Sequence, residues 1–195
     1  MEDYRIKDGV GLIPTGNTKI GTRAFHDCTE LTKVVIPDSV TEIGRSAFSG
    51  CTGLTQIVIP DSVSKIGSGA FRGCTGLTKI IISKAVTEIG DWAFEECTRL
   101  TQIVIPGAVT KIGNRAFSDC AGLTEIIVTD GNSVYDSRNN CNAIIETRTN
   151  RIIAACTTTR IPESVTKIGD CLLWLYGTDE NCYSPVGDGN REVCL

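Results

Sequence analysis

The sequence predicts an α/β repeat solenoid, right-handed, with short parallel strands on a concave face and short helical turns or extended segments on the convex side. Two observations carry this. The first is a period of 23 residues: Ile13, Ile36, Ile59, Ile82, Ile105 and Val128 mark five consecutive units. The second is that each unit repeats one apolar pattern, so that "VTEIGRSAFSGCTGLTQIVIP", Val40 to Pro60, returns as "VTEIGDWAFEECTRLTQIVIP", Val86 to Pro106. A unit this small cannot bury its own apolar side, but stacked copies can bury a continuous core.

Each part of the unit has a local reason. In "LTQIVI", Leu54, Ile57 and Ile59 alternate with Gln56 and Val58, as a strand with one buried face requires. Pro60 ends that strand because it has no N–H to offer a ladder; Pro14, Pro37 and Pro106 stand in the same column, with Ser83 as the exception. "SVSKIG" predicts a second short extended piece, with Gly67 allowing a bend. Ile20, Ile43, Ile66, Ile89 and Ile112 share its column, each followed by glycine. "SGAFRGC" is too short for a full helix, but a helical turn would put Phe71 and Cys74 on one side. All five phenylalanines, Phe25, Phe48, Phe71, Phe94 and Phe117, share one column, each after an alanine. Leu31, Leu54, Leu77, Leu100 and Leu123 close the unit. Cys28, Cys51, Cys74, Cys97 and Cys120 also recur every 23 residues and read as small buried hydrophobes with reduced thiols.

The period lies in the roughly 20–29-residue range of leucine-rich repeats. Beyond the period, the shared string "IPxSVTxIGxxAFxxCxxLTxIxIP" resembles the BspA-like, or Treponema pallidum-type, bacterial leucine-rich repeats over about residues 13–170. "YDSRNNCNAIIETRTNRIIAACTTTRIPESVTKIG", Tyr135 to Gly169, is similar to a longer variant repeat of Bacteroides members. It reads as a β-hairpin, "NAIIET" and "RIIAAC" around Arg148–Asn150, before the pattern resumes at Ile161. The expected organisation is a cap segment (1–12), five regular repeats (13–127), a long irregular repeat with the hairpin (128–160), an incomplete last repeat (161–175) and a divergent tail (176–195). At the end of the last repeat, Leu172, Leu173, Trp174 and Leu175 would close the open end of the solenoid or pair two molecules; a third reading takes the tail as a fragment edge or an out-of-frame remnant.

The resemblance implies a cell-surface or secreted protein that binds protein partners, with fibronectin and fibrinogen among the ligands of some members. It implies no cofactor. Stacking turns each outward column into a row. Val35, Val58, Ile81, Val104 and Ile127 form an apolar row on the concave face, beside Lys33, Gln56, Lys79, Gln102 and Glu125. An exposed apolar stripe with a polar flank suits a protein contact, although Val and Ile are also good strand formers. A second row, Lys19, Glu42, Lys65, Glu88 and Lys111, alternates in sign. Its role reads as structural: it fixes register, since a one-coil slip would bring like charges together.

Other chemistries find little support. The net charge of −4, with scattered basic residues, argues against a nucleic-acid surface. No run of 18 apolar residues is present to span a membrane as a helix. "MEDYRIKDGVGLIP" lacks the basic-then-apolar pattern of a secretory signal, so a cytoplasmic or truncated form stays open. The cysteines form no C-x-x-C pair, and His26 is the single histidine, in a column that should face solvent. Cys141 and Cys156 flank the hairpin and would be bridged only in an oxidising compartment. "GSGAFRG", Gly67 to Gly73, misses phosphate-loop spacing, and "TDGNSVYDSRNN" lacks the acids of a calcium loop. No nucleophile, base and metal set is legible, so the expected function is non-enzymatic. The two readings are an adhesin-type protein-binding module and an intracellular or truncated repeat scaffold without a ligand of its own.

Overall fold

The computed structural model describes residues 4–169, 183–186 and 190–193. Its coils stack so that residues 23 apart lie side by side, forming two rows of parallel strands. The continuous row comes from the second extended piece of each unit. Lys19–Ile20 (β3), Glu42–Ile43 (β5), Lys65–Ile66 (β7), Glu88–Ile89 (β9) and Lys111–Ile112 (β11) make one five-stranded parallel sheet. The other row is paired two by two. Val10–Leu12 (β2) joins Lys33–Val34 (β4), Gln56–Val58 (β6) joins Lys79–Ile81 (β8), and Gln102–Ile105 (β10) joins Glu125–Val128 (β12).

The glycine after each isoleucine permits this stacking rather than a bend. A Cβ on Gly44, Gly67, Gly90 or Gly113 would meet backbone atoms of the preceding coil at 2.3–2.8 Å. Gly113 N donates to Ile89 O at 2.8 Å, and the same bond repeats from Gly44, Gly67 and Gly90.

The expected helical turns are not formed. The fold is a β-solenoid, and the helical segment among the described residues is the single 3₁₀ turn Arg138–Asn140. The "AFxxC" segments instead contain two linked turns, each with a residue in the left-handed region. Arg23, Ser46, Gly69, Trp92 and Arg115 form one such column; Asp27, Gly50, Gly73, Glu96 and Asp119 form the other. Backbone N–H groups then alternate in use. Those of His26 and Cys28 close turns at 3.2 Å to Arg23 O and Phe25 O. Those of Arg23, Phe25 and Asp27 donate forward to the next coil at 2.7–2.9 Å. A helix would spend every N–H inside its own turn; this arrangement uses every second one to bond coil to coil.

The core follows the columns. Phe25, Phe48, Phe71, Phe94 and Phe117 stack with centroids 5.3–5.4 Å apart and ring planes within 5° of parallel. Burying such a ring contributes about 1.5–3 kcal/mol, and an aromatic pair adds about 0.5–1.5 kcal/mol more. The cysteines beside them do more than fill space. The thiols of Cys51, Cys74, Cys97 and Cys120 reach the Phe carbonyl of the preceding coil, 26 residues back, at 2.9–3.2 Å.

Two tyrosine hydroxyls finish the five-stranded sheet. At the first coil no earlier carbonyl exists for Gly21 N, and Tyr4 Oη accepts that bond at 2.7 Å. Tyr4 also packs edge-on against Phe25, centroids 5.4 Å apart. It leads into Arg5–Lys7 (β1), which pairs antiparallel with β2. At the other end, Ile112 N donates to Tyr135 Oη at 3.0 Å. Beyond it, Tyr135–Asp136 (β13), Ala143–Glu146 (β14), Arg151–Ala155 (β15) and Lys167–Ile168 (β16) form one side of a separate sheet, completed by the antiparallel pair Tyr183–Val186 (β17) and Asn190–Val193 (β18). The β14–β15 hairpin is buried on both faces. Ile144 joins the main core, while Ala143 and Ile145 join a second one with Ile152, Val165 and Ile168. The parallel pairing Ile152↔Ile168 then resumes the repeat. Leu172 to Leu175 lie outside the described residues.

Candidate functional site

The paired strand row carries the apolar side chains in one line. Strand alternation buries Ile57, Ile80, Ile103 and Ile126 and turns the residue after each of them to solvent. Exposure runs from 64% at Val35 through Val58, Ile81 and Ile127 to 36% at Val104. Parallel register sets Val58 beside Ile81, and Val104 beside Ile127. Lys33, Gln56, Lys79, Gln102 and Glu125 are exposed along one flank, where Gln102 Nε2 donates to Glu125 Oε2.

The row is longer than the five residues read from sequence. Leu12 is 45% exposed and continues it, because β2 lies in register with β4. The signal is in the sequence: "LIP" at Leu12–Pro14 matches "VIP" at Val35–Pro37, although Leu12 falls within the expected cap segment 1–12. Six side chains at about 4.8 Å per strand make a stripe about 24 Å long. At its far end the stripe runs into a cleft of about 1050 Å³, floored by Glu125, Ile127 and Thr129 and walled by Asn132, Arg138 and Asn142. The wall is tied down. Asn132 Nδ2 donates to Pro106 O and Val109 O at 3.0 Å, and its Oδ1 accepts from Val134 N and Tyr135 N. Arg138 clamps Asp136 with two bonds of 2.6 and 2.8 Å and reaches Asn150 and Ser164.

The other singled-out residues do structural work. Lys19–Glu42 at 2.8 Å, Lys65–Glu88 at 3.2 Å and Lys111–Glu88 at 2.8 Å are formed along the five-stranded sheet. The hydrogen bond from Lys111 holds the Glu88 carboxyl below its ordinary range. The cysteine column is buried from Cys51 to Cys120, with Cys28 partly exposed at the first coil; burial pushes the Cys51 and Cys120 thiols up to about 12 and also raises those of Cys74 and Cys97. Such thiols do not ionise near neutrality and are poor nucleophiles. Cys141 and Cys156, the candidates for a bridge, are both free and buried.

His26 is partly exposed, with Nδ1 2.9 Å from Asp27. Its column is not uniformly solvent-facing, contrary to the sequence expectation. Glu95 in that column is buried, 2.7 Å from Arg72 Nε, and loss of solvent raises its carboxyl above the ordinary value despite that partner. Among the described residues, no group of three or more His, Cys, Asp and Glu gathers as metal ligands would.

The repeat geometry has a counterpart among known proteins. The family model for the BspA type leucine rich repeat region matches residues 18–145 in six copies. The chain belongs to the BspA-type leucine-rich repeat family. Among solved structures it is similar to a leucine rich cell surface protein from Faecalibacterium prausnitzii A2-165. Identity is 36% and the TM-score 0.68, over 76% of this chain and 40% of that one. It is also similar to the T. pallidum leucine-rich repeat protein, with 35% identity and a TM-score of 0.58, over 60% of this chain and 57% of that one. The pneumococcal vaccine antigen PcpA shares the fold at 19% identity and a TM-score of 0.67, over 78% of this chain and 39% of that one. The chain thus spans 40–57% of the length of its two more identical structural relatives. No curated protein matches it. No helix among the described residues is long and apolar enough to cross a membrane.

Proposed function

We propose that the BspA-type repeat described here is a non-enzymatic protein-binding module, and that the row Leu12, Val35, Val58, Ile81, Val104 and Ile127 is its contact surface. The observation carrying this is the stripe itself: six apolar side chains in one line, left out of a core that buries their neighbours. A line of such residues with a polar flank matches the apolar centre and polar rim of protein interfaces. Lys33, Gln56, Lys79, Gln102 and Glu125 would act as the rim. The setting is a cell-surface or secreted protein of adhesin type, a reading supported by the family and by the similarity to the leucine rich cell surface protein of F. prausnitzii. Host matrix or plasma proteins, fibronectin and fibrinogen first, are the partners to try.

The test is binding of the chain to immobilised fibronectin and fibrinogen, beside the triple variant Val58→Glu, Ile81→Lys, Val104→Glu. These positions are exposed, so the variant should fold with an unchanged far-UV spectrum. Saturable capture by the native chain, lost in the variant, is the expected result. Capture that survives the triple change moves the contact surface elsewhere, the β14–β15 hairpin first. Failure to bind either protein favours a scaffold with no ligand of its own.

A further inference from the structure

The five-stranded sheet stops at β11, and β15 takes up the next coil without pairing to it. Between them lies a cavity of about 240 Å³, walled by Trp92, Asn114, Arg115, Arg151 and Ile153 around the backbone of Gly113. It lies at the end of the five-stranded sheet, whereas the apolar stripe belongs to the other strand row.

Three features give the cavity a chemistry. Among the described residues, two arginines line it and no carboxylate does. Asp91, the acid bonded at this rim, is engaged by the Asn114 N–H at 2.7 Å. Arg151 Nε is buried with no hydrogen-bond partner among the described residues, which is costly for a charged donor. The backbone adds to this. Gly69 N and Trp92 N donate forward to Asp91 O and Asn114 O, whereas Arg115 N, next in that column, finds no acceptor among the described residues. Finally, Trp92 is 40% exposed, at a φ of +54° that belongs to its whole column, so its ring is presented at the cavity by the regular turn of the repeat.

Donors without an acceptor call for an anion, and a planar guanidinium suits a carboxylate. The indole of Trp92 and the side chain of Ile153 offer an apolar wall, so the anion should carry a body with an apolar face. Asn114 brings both a donor and an acceptor, which suits hydroxyl groups. The volume is below the roughly 300–1,000 Å³ of pockets for drug-sized molecules, so it admits one ring rather than a chain of them. We propose that this cavity binds a single acidic sugar unit, with Arg151 and Arg115 on its carboxylate and the Trp92 ring against its apolar face.

The probe is glucuronate, with glucose and acetate as the ring without the charge and the charge without the ring. Trp174→Phe leaves Trp92 as the sole tryptophan and makes its fluorescence the reporter. Glucuronate is expected to saturate at millimolar concentration, with glucose and acetate each weaker by about ten-fold or more. In calorimetry, Arg151→Gln should weaken glucuronate by about ten-fold. Trp92→Gly should abolish binding while keeping or raising the thermal midpoint, because glycine is unstrained at this φ. The triple change on the stripe should leave glucuronate binding untouched, which separates this site from the proposed protein contact. Absence of saturation by glucuronate, equal binding of acetate, or full binding by Trp92→Gly would each overturn the proposal.

Discussion

The five regular coils and the hairpin coil solve one problem in two ways. Through Val128, residues 23 positions apart lie side by side, and most core columns stack like side chains on like. Five parallel phenylalanine rings and the recurring thiol-to-carbonyl bond are the result. Beyond that strand the repetition lapses, and individual side chains substitute for the missing coil. Tyr135 accepts the N–H of Ile112, Asn132 uses both ends of its amide, and Arg138 ties loop, hairpin and last coil together. Periodicity satisfies polar groups by symmetry; where it ends, each one needs a dedicated residue.

The contrast can be sharpened or broken by six substitutions. Phe71→Ala, in mid-stack with a ring on either side, should cost about 3–5 kcal/mol in urea unfolding. Phe117→Ala, with one stacked neighbour and slight exposure, should cost less. Equal losses would mean that the stack does not act through its neighbours. Gly67→Ala should cost about 1–3 kcal/mol, because its Cβ would sit 2.8 Å from the backbone of the preceding coil. Gly131→Ala, at φ +83° with open space around it, should cost only the left-handed penalty of about 1–2 kcal/mol.

Tyr135→Phe keeps the ring and removes the acceptor from Ile112 N. A loss of about 1–3 kcal/mol is expected, with faster amide exchange at Ile112 while Ile66 is unchanged. The smallest effect is electrostatic. Burial raises the Glu95 carboxyl, so its contribution is fully present below the unfolded value and is lost as pH rises through the folded one. Glu95→Gln should therefore raise the thermal midpoint near pH 7 and give no gain near pH 4. A gain that grows on acidification would contradict the assigned cause.

Much of this was legible in the sequence, for a reason that also sets its limit. Columns that recur every 23 residues, such as Ile43 and Phe48, reveal which side chains face inward, because stacking repeats one environment. They do not reveal backbone angles. The left-handed column holds Arg23, Ser46, Gly69, Trp92 and Arg115, a set with no shared chemistry, so the turns read as helical when they are not. Likewise the glycine of "KIG" reads as a bend, whereas its purpose is the approach of the next backbone. The cysteine column is plain, but its acceptor is a backbone carbonyl 26 residues back, which a column of side chains does not reveal. Of the stripe, five members were legible by alternation, and Leu12 was missed only because the first coil was begun one residue too late. The cavity beside Trp92 was not legible at all: Trp92, Arg115 and Arg151 come from three coils, and a gap in a ladder leaves no mark on the pattern.

The two tyrosine hydroxyls carry a consequence for size. Tyr4 and Tyr135 terminate the five-stranded sheet from outside the repeated units, one at its first strand and the other at its last. Coil number is therefore a free variable: copies of the 23-residue unit inserted between them would find the same terminators waiting at both ends. Between existing coils, the lysine–glutamate alternation restricts insertion to even numbers, since a single coil placed there would set two like charges side by side. Each permitted step lengthens the apolar stripe by two strands, about 9.6 Å, so its reach can be scaled without redesigning either terminus.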